Sequence, residues 1–567
     1  MMRKLLMLVV IAICIGTPLF AAGQSDVSGS ALEDIGFHAS GLPVVDTPVT
    51  ISVVWNKWAS HTKDPSEMIV PVEGNKEMNI NVDWIAVASE AWTEKINLML
   101  ASGDLPDTFA TSLRSDFNVV SQGEAGAFIP MQDLLDNYAP NLKKIMAKRP
   151  TLEPWITAPD GNVYGVFKLN EGSWCTNGPI LYLNKAWMIK MGLGPEDMPT
   201  SMNEYFDLLV KVKNSGDLNG NGEADEIPLG FMFENFSRSL AHFYHAHGLP
   251  IENGFKDNRD YLVVNDGEVI YAPTTQAFKD TMKTLNKFWE AGLLDQEGFT
   301  HTGGQYTGKG KQDQYFSLTD WWVQNWVPQE RWDDYVYLSN IPADGYEYVA
   351  NYRFSWSRNA APITSAAEYP EVVMRWIDYW YDPIKSIEVM EGPIGVRVEQ
   401  KADGTYDVMP TPEGMGLSEW RDLETLGPGG LTSIDAEMYQ DLFIFSAAEM
   451  CGTVKYEMHS PFWPEEYWPQ PVMTSGEIKT EQALLPDLQA LVSKTIARFV
   501  TEGTVEEDWD EFQGQLKTLG LPELMQIWQK NYTTFVERAG GKMTKPHTIG
   551  TDEPYPGGWG HEPGSRL

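Results

Sequence analysis

The sequence predicts an α/β protein built from two lobes. A β-branched strand pattern, VTISVVW, is followed by an amphipathic helical pattern and a turn in EAWTEKINLMLASGDLPDTFAT, and a second strand begins near Thr108. Strand, helix and strand in this order are typical of a mostly parallel sheet that carries helices on its faces. The 567 residues are enough for two lobes with a hydrophobic core in each.

The first 22 residues, MMRKLLMLVVIAICIGTPLFAA, have the pattern of a signal peptide. Two basic residues precede an apolar run that is shorter than the roughly 20 residues a membrane-spanning helix needs. Cys14 lies inside this run and follows an isoleucine, where a lipidation signal would have a small residue. We therefore expect a periplasmic or extracytoplasmic protein that is exported by its signal peptide and carries no lipid anchor.

The composition narrows the classes of partner. The formal net charge is −37, and no basic stretch offers the phosphate contacts that nucleic acid requires. Cys175 and Cys451 are the cysteines that remain after export, and the sequence leaves open whether they form a disulfide. Aromatic residues make up 12%, with 21 tryptophans, which is more than a core requires and favours a ligand that binds to aromatic rings.

Composition and pattern divide the chain as follows: a signal peptide at 1–22, a flexible tether at 23–46, an N-terminal lobe of 47–170 plus 355–400, a C-terminal lobe of 171–354 plus 401–545, and a tail at 546–567. The polar, glycine-containing stretch from Asn170 to Gly178 is the candidate for the first crossing between the lobes. Helical patterns recur at 275–291, 369–382, 484–502 and 508–536, and a further helix begins near Thr200 or Ser201 with Glu204 in a capping-box position.

The segment DLNGNGEADEIP, residues 217–228, has the spacing of a calcium loop that lacks its last ligand. Such loops supply oxygen ligands from alternate residues and have glycine at position six, which Gly222 provides. Position twelve is Pro228, so Glu226 is the nearest residue that could supply the missing carboxylate. A turn rich in Asx residues and glycine without metal is the alternative. We predict a structural Ca²⁺ site formed by Asp217, Asn219, Asn221, Glu223, Asp225 and Glu226.

Seven segments carry a resemblance to a known family. In chain order they are EKINLMLASGDLPD, GAFIPMQDLLDNYAPNL, PDGNVYG, LYLNKAWMIKMGL, DLNGNGEADEIPL, KTLNKFWEAGLLDQEGF and RFVTEGTVEEDWDEFQGQLKTLGLPELMQIWQKNY. They resemble the extracellular solute-binding proteins of carbohydrate ABC importers, in the large branch that includes the alginate-oligosaccharide-binding periplasmic proteins. The resemblance implies a periplasmic binding protein fold of the second type, with a hinge between the lobes. It also supports Glu226 as a cation ligand.

The resemblance implies an oligosaccharide ligand, no catalysis, and docking on the transmembrane permease subunits of an ABC importer; we expect a monomer. Sugars pack on aromatic rings and form hydrogen bonds to charged and amide groups. Asp107 matches the position where the related proteins place a carboxylate on sugar hydroxyls, and the other candidates lie near strand ends or in loop-like contexts. The candidate ligand-binding residues are Trp55, Trp58, Asp107, Trp174, Asn177, Asp320, Trp321, Trp322, Trp326, Trp356, Arg358, Trp463 and Trp468.

Several alternatives stay open at this point. Lys57, Arg353 and Arg358 would suit an acidic sugar, whereas neutral oligosaccharides agree equally well with the sequence. A glycoside hydrolase or lyase would need two carboxylates about 5 to 10 Å apart across a sugar bond, which sequence alone does not exclude. A peptide-binding solute receptor is the third class. The histidines of HFYHAHG lack the general base of a zinc hydrolase, so a zinc centre is not expected there.

Overall fold

The computed structural model describes most of the chain between residues 29 and 542. The described ranges are 29–113, 115–171, 179–233, 235–251, 261–321, 323, 326–327, 329–351, 356–413, 415, 417–444, 455 and 457–542. The predicted signal peptide and tail, Trp174, Asn177 and Trp322 lie outside these ranges, as do Cys175 and Cys451, and what was predicted for them stays a prediction.

The strands are numbered in chain order: β1 (Val49–Lys57), β2 (Ile80–Ala88), β3 (Thr108–Phe109), β4 (Val166–Asn170), β5 (Ile180–Asn184), β6 (Ile227–Gly230), β7 (Leu262–Asn265), β8 (Glu268–Tyr271), β9 (Tyr315–Asp320), β10 (Tyr335–Leu338), β11 (Trp356–Ala360), β12 (Val398–Gln400), β13 (Tyr406–Val408), β14 (Ser433–Ile434) and β15 (Phe443–Ile444). The α-helices span Gly29–Asp34, Ile69–Met78, Trp92–Ser102, Asp116–Glu124, Gln132–Tyr138, Pro140–Lys148, Leu152–Ile156, Lys185–Lys190, Met202–Lys213, Ala241–Ala246, Gln276–Glu290, Gly303–Lys311, Pro370–Tyr379, Pro383–Glu391, Leu417–Arg421, Ala436–Leu442, Ser475–Glu502, Val505–Thr518 and Leu521–Ala539.

The first sheet confirms the predicted strand–helix–strand arrangement. β1 pairs in parallel with β2 and β3, and the helices Ile69–Met78 and Trp92–Ser102 connect these strands. The chain after β3 meets the end of β11 through an antiparallel bridge between Ser112 and Ala360. β11 is antiparallel to β4, which is parallel to β14. The strand order is therefore β2-β1-β3-β11-β4-β14, and only β11 runs against the others.

The second sheet has the order β10-β5-β9-β6. β5 is antiparallel to both β9 and β10, whereas β6 and β9 are parallel. β9 is buried at all six positions, which agrees with its place inside the sheet. Its last residue, Asp320, pairs with Ile180, the first residue of β5.

Two large hydrophobic cores define the two lobes. The first contains residues from Ile35 to Leu169 and later segments, and the second contains Leu181 to Ala343 together with the C-terminal helices. The chain therefore crosses to the second core between Leu169 and Leu181, which is where the first crossing was predicted. It returns to the first core between Ala343 and Tyr348.

The predicted division of the chain differs from these cores in two places. Val44 and Val45 are fully buried in the first core, so the described part of the predicted tether, residues 29–46, is packed structure. Leu426 and Leu431 also belong to the first core, although residues 401–545 were assigned to the C-terminal lobe. In both cases the apolar residues meet partners far away in sequence, which no local pattern reports.

The helical predictions agree with the structure in type and differ in detail. Ser201 caps the helix Met202–Lys213, since its side chain accepts a hydrogen bond from the Glu204 amide at 3.2 Å. The pattern at 508–536 forms two helices, separated at Gly520, whose φ of +94° places it in the left-handed region. No helix among the described residues is long and apolar enough to cross a membrane.

Candidate functional site

The carboxyl ends of the parallel strands in the first sheet share one edge. Trp58 follows β1, Glu171 follows β4 and Asp435 follows β14, while Trp356 begins the antiparallel strand β11 at the same edge. In open α/β sheets, ligands bind outside the carboxyl ends of the strands. This edge also leads into the crossing between the lobes, since β4 ends at Asn170.

Trp58 is the half-buried aromatic side chain at this edge. Its indole lies against Gly429: a Cβ added to Gly429 would be 3.1 Å from Cζ2 of Trp58. The backbone N–H of Trp58 donates to Nδ1 of His61 at 3.1 Å, and the two rings are 5.9 Å apart. Burial lowers the pKa of His61 despite the opposing charge of Asp422. Trp58 is thus held against Gly429 and remains partly exposed.

An ion network lies at the carboxyl end of β4. Arg149 donates to both carboxylate oxygens of Glu171, at 3.1 and 2.7 Å, and to both of Glu437, at 3.2 and 2.9 Å. Burial alone would lower the pKa of Arg149, but the hydrogen bonds and charges of the two glutamates raise it. The indole of Trp356 donates to Oε1 of Glu171 at 2.8 Å. Glu171 is therefore fixed immediately before the crossing.

The second lobe presents Asp320 and Trp321 at the carboxyl end of β9. Asp320 is almost fully buried, and its carboxylate accepts from Nε of Arg238 at 2.9 Å and from the Trp321 amide at 2.7 Å. The guanidinium of Arg238 lies 4.8 Å from the centre of the Tyr306 ring. Trp321 is half-buried, and its carbonyl accepts hydrogen bonds from Tyr182 and Lys455. Because Asp320 pairs with Ile180, these residues adjoin the same crossing.

Four of the predicted ligand tryptophans pack inside the protein. Trp55 and Trp326 are fully buried, Trp463 is 4% exposed, and Trp356 is buried with its indole N–H bound to Glu171. We therefore correct these four from ligand platforms to packing residues, because the loop-like sequence around them suggested an exposure that they do not have. Trp468 is half-buried and stacks on Tyr532 with the ring centres 6.2 Å apart, and its ligand role stays a prediction.

Asp107, a predicted ligand residue, lies at the amino end of β3 and not at the carboxyl edge. It precedes β3, and its carboxylate accepts from the amide and the hydroxyl of Ser52 at 2.6 and 2.7 Å. Ser52 is five residues before the end of β1, about 17 Å along the strand. Asp107 thus ties the start of β3 to the middle of β1.

Arg358, a second predicted ligand residue, forms a buried ion pair in the first lobe. Its Nε and Nη2 donate to the two carboxylate oxygens of Asp116 at 2.8 and 2.5 Å. Its Nη1 donates to the Gln470 carbonyl at 2.6 Å, and its guanidinium stacks over Trp155. All three ends of the guanidinium face protein groups, so Arg358 connects β11 to the segment before the long C-terminal helices.

The structure also brings together residues that the sequence analysis did not select. Arg149, Glu171, Arg238 and Glu437 form the ion pairs around the two edges. Only Glu171 has a local signal, because it directly follows the strand pattern VFKLN and so sits at a strand's carboxyl end. The other three act through partners up to 288 residues away, and no spacing in the sequence indicates them.

The predicted cation loop folds inward around its polar side chains. The carboxylate of Asp217 accepts from the amides of Gly220, Asn221 and Gly222, at 2.6, 3.1 and 2.9 Å. Oε1 of Glu226 accepts from the amides of Leu218 and Asn219. Gly222 has a φ of +89°, the sharp turn for which glycine was expected.

Three of these side chains meet one another. Oδ1 of Asp225 accepts from the side-chain amides of Asn219 and Asn221 at 3.0 and 3.1 Å, and Oδ2 accepts from Gln314 at 2.5 Å. Burial alone would raise the pKa of Asp225, but these hydrogen bonds lower it below its ordinary value. The side chains that meet here carry oxygen atoms, and the lowered pKa keeps the Asp225 carboxylate negatively charged. Such a set of ligands fits a hard cation such as Ca²⁺.

The histidines of HFYHAHG are core residues. Nε2 of His245 lies 3.1 Å from the Ile251 carbonyl, and Nδ1 of His247 lies 2.7 Å from the Phe243 carbonyl. Burial lowers the pKa of His245 to about 4 and that of His242 to about 3. The rings of His242 and His245 are therefore neutral at ordinary pH. The partner of His245 is a backbone carbonyl, whereas His247 also lies 3.1 Å from the Thr284 hydroxyl through its Nε2.

Comparison with known proteins agrees with this architecture. The family profile described as bacterial extracellular solute-binding protein matches residues 58–239. The fructooligosaccharide ABC transporter substrate-binding protein FusA of Streptococcus pneumoniae serotype 4 (strain ATCC BAA-334 / TIGR4) is 30% identical over 489 residues, which cover 83% of this chain and 88% of FusA.

Solved structures give the same result. The S. pneumoniae FusA EF-hand mutant in complex with fructo-nystose has a TM-score of 0.73 at 27% identity, over 86% of this chain and 99% of that one. The alginate-binding protein AlgQ2, solved without calcium ion, has a TM-score of 0.64 at 20% identity, over 86% of this chain and 98% of that one, and shows the shared fold. With its two-lobed α/β fold and its identity to FusA over most of its length, this chain belongs to the family of bacterial extracellular solute-binding proteins.

Proposed function

We propose that this protein is the substrate-binding component of an ABC importer that captures an oligosaccharide between its lobes. The observation that carries the proposal is the placement of two half-buried tryptophans. Trp58 lies at the carboxyl edge of the first sheet, and Trp321 lies at the carboxyl end of β9, next to the crossing between the lobes. The identity to FusA, a fructooligosaccharide-binding protein, supports the same assignment.

The two tryptophans supply flat apolar surfaces for the CH faces of sugar rings, and the carboxylate of Asp320 lies next to Trp321. Contacts from both lobes stabilise a closed form only if the ligand binds it more tightly than the open form. The closed protein then docks on the permease outside the cytoplasmic membrane, after export by the signal peptide. The residues outside the described ranges, Trp174, Asn177 and Trp322, complete the proposed ligand set.

The charge of the site favours a neutral oligosaccharide over an acidic one. Arg149 pairs with Glu171 and Glu437, Arg238 with Asp320, and Arg358 with Asp116. An acidic sugar that took a guanidinium from Glu171, Asp320 or Asp116 would leave a buried carboxylate without its counter-charge, which costs several kcal/mol. Fructooligosaccharides are uncharged, so the ligand named for FusA agrees with this environment.

A titration of tryptophan fluorescence tests the function. The mature protein is titrated with fructooligosaccharides, with neutral glucose or xylose oligomers, and with uronate oligomers, and each sugar is analysed afterwards for cleavage. Saturable binding of an intact neutral oligosaccharide is expected. Trp58→Ala should weaken it about tenfold or more, whereas Trp289→Ala, on the helix Gln276–Glu290, should not. Cleavage of the sugar, or binding of uronates alone, would contradict the proposal.

We also propose that the cation loop holds one structural Ca²⁺ through Asp217, Asn219, Asn221, Glu223, Asp225 and Glu226. The ion would fix the loop between the helix Met202–Lys213 and β6 without contacting the sugar. Metal analysis of the purified protein should find one calcium per chain, and Asp217→Ala should lose it. The exposed carboxylate of Asp104 in the first lobe provides the matched control, Asp104→Ala, which should retain calcium. A calcium-free protein with an unchanged melting temperature after chelation would contradict this.

A further inference from the structure

A second group of metal-ligating side chains lies in the second lobe, away from the cation loop sequence. Asp295, Glu297 and His301 each offer one ligand atom, and these atoms lie within 4.8 Å of one another. The segment that carries them follows Leu294, which bridges to Leu229 of β6, and leads into the helix Gly303–Lys311. Asp295 and His301 are buried, and Glu297 is exposed.

His301 is held in one tautomer with a lone pair directed into this group. Its Nε2 lies 2.6 Å from the Phe231 carbonyl, which can only accept, so Nε2 carries the hydrogen. Nδ1 therefore carries a lone pair, and it has no hydrogen-bond partner among the described residues although the side chain is only 1% exposed. Burial lowers the pKa of His301 despite the opposing charge of Asp295.

The atom that faces this lone pair is also electron-rich. Oδ2 of Asp295 lies 3.6 Å from Nδ1 of His301, too far for a hydrogen bond, in a site that is closed to solvent. Oδ2 of Asp295 accepts from Nζ of Lys309 at 2.8 Å and from the hydroxyl of Tyr315 at 3.1 Å. Nδ1 of His301 has no such donor, and a buried acceptor without a donor is unfavourable. A cation between the two atoms would satisfy Nδ1 and keep a positive charge beside Asp295.

Lys309 already places a positive charge beside the two carboxylates. Its Nζ lies 2.8 and 2.9 Å from the oxygens of Asp295 and 2.7 Å from Glu297. This ammonium balances the charge of the two carboxylates. Among the described residues it forms no hydrogen bond with Nδ1 of His301. The lysine stem is flexible and its side chain is 19% exposed, so it can swing outward when another cation enters.

We propose that Asp295, Glu297 and His301 bind a divalent transition metal, with Zn²⁺ as the first candidate, and that Lys309 takes its place when the metal is absent. One imidazole and two carboxylates are a donor set that zinc uses, with water in the fourth position. Ca²⁺ takes oxygen ligands, so it should prefer the loop at 217–226. The metal would join the two ends of the segment 295–301 and so stabilise the second lobe. This effect would not depend on binding of the proposed sugar.

Zinc competition with a chromophoric chelator tests the proposal. The tag-free mature protein is first saturated with Ca²⁺, which fills an oxygen-only loop. We expect one zinc per chain in the wild type. His301→Gln keeps a donor for the Phe231 carbonyl but replaces the imidazole nitrogen by a weaker amide oxygen ligand, and should weaken zinc binding about tenfold or more. The exposed pair His38–Asp46, at 3.0 Å, provides the control His38→Gln, which should bind zinc as the wild type does.

Lys309→Met keeps the proposal testable if the His301 variant fails to fold. Removal of the competing ammonium should increase zinc affinity, whereas a merely structural lysine would leave zinc binding unchanged. Cobalt added to the wild type should give the visible absorption of a low-symmetry site, which His301→Gln should lose. Absence of zinc binding by the wild type, loss of zinc in His38→Gln but not in His301→Gln, or equal affinity in Lys309→Met would overturn the proposal.

Discussion

Replacing Arg358 with methionine distinguishes a structural arginine from a ligand-binding one. Methionine keeps most of the side-chain length but removes the hydrogen bonds to Asp116 at 2.8 and 2.5 Å and to the Gln470 carbonyl at 2.6 Å. The arginine and aspartate side chains are only 7% and 12% exposed. The substitution would therefore leave the Asp116 carboxylate buried without its counter-charge.

Loss of one partner from a buried, hydrogen-bonded ion pair costs about 3 to 5 kcal/mol. We expect Arg358→Met to lower the free energy of unfolding of the first lobe by about that amount, measured by urea denaturation at neutral pH. The double variant Arg358→Met/Asp116→Leu should recover most of the loss, because it also removes the buried charge. Sugar affinity of the folded variants should stay within about twofold of the wild type.

The opposite pattern would refute this reasoning. If Arg358→Met lost less than about 1 kcal/mol of stability, the pair would resemble an exposed salt bridge. If the same variant lost sugar binding while staying folded, Arg358 would be the ligand residue that the sequence suggested. A double variant that is less stable than Arg358→Met would show that other partners of Asp116 contribute as much to the free energy of unfolding as Arg358 does.

Three further outcomes follow from the structure. Calcium chelation should lower the melting temperature of the second lobe by on the order of 10 °C, if 1 mM calcium exceeds the dissociation constant about 1,000-fold; calorimetry measures this. Burial raises the pKa of Asp378 to about 6, above about 3.9 in the unfolded chain. The contribution of Asp378 to stability is then fully present below pH 4 and is lost as the pH rises through 6, so Asp378→Asn should remove a pH dependence of about 3 kcal/mol in urea unfolding. Gly429→Val should displace the indole of Trp58 and weaken sugar binding about tenfold, whereas Gly476→Val, where an added Cβ meets nothing within 4 Å, should not.

The features that the sequence predicts well depend on neighbours along the chain. The βαβ unit at β1–β3, the cap of Ser201 and the turn at Gly222 each require only a few adjacent residues. The contacts of Asp225 with Asn219 and Asn221 belong to the same class, because the three residues lie within seven positions of one another. Local spacing determines which side chains can meet, so such features can be recognised without the fold.

The features that the sequence misses depend on pairing across the chain. Arg358 reaches Asp116 over 242 residues, and Trp55 is covered by a core assembled from several segments. Arginine and tryptophan are both common in sugar-binding sites. The residues adjacent in sequence do not show that Arg358 pairs with a distant carboxylate or that Trp55 is buried in the core. Asp107 shows the same limit in another form: it is adjacent to a strand, but only the sheet reveals which end of the strand it occupies.

β9 connects the proposed cation loop with Asp320, which lies beside the proposed sugar-binding Trp321. At its start, Gln314 donates to Asp225 at 2.5 Å, and the Asp313 carbonyl accepts from Asn219 at 3.2 Å. At its end, about 17 to 20 Å away by strand geometry, stands Asp320. Because β9 is buried throughout and paired on both sides, it cannot bend readily between these points. A cation in the loop would therefore act on the sugar site by fixing the position of this strand, without touching the sugar.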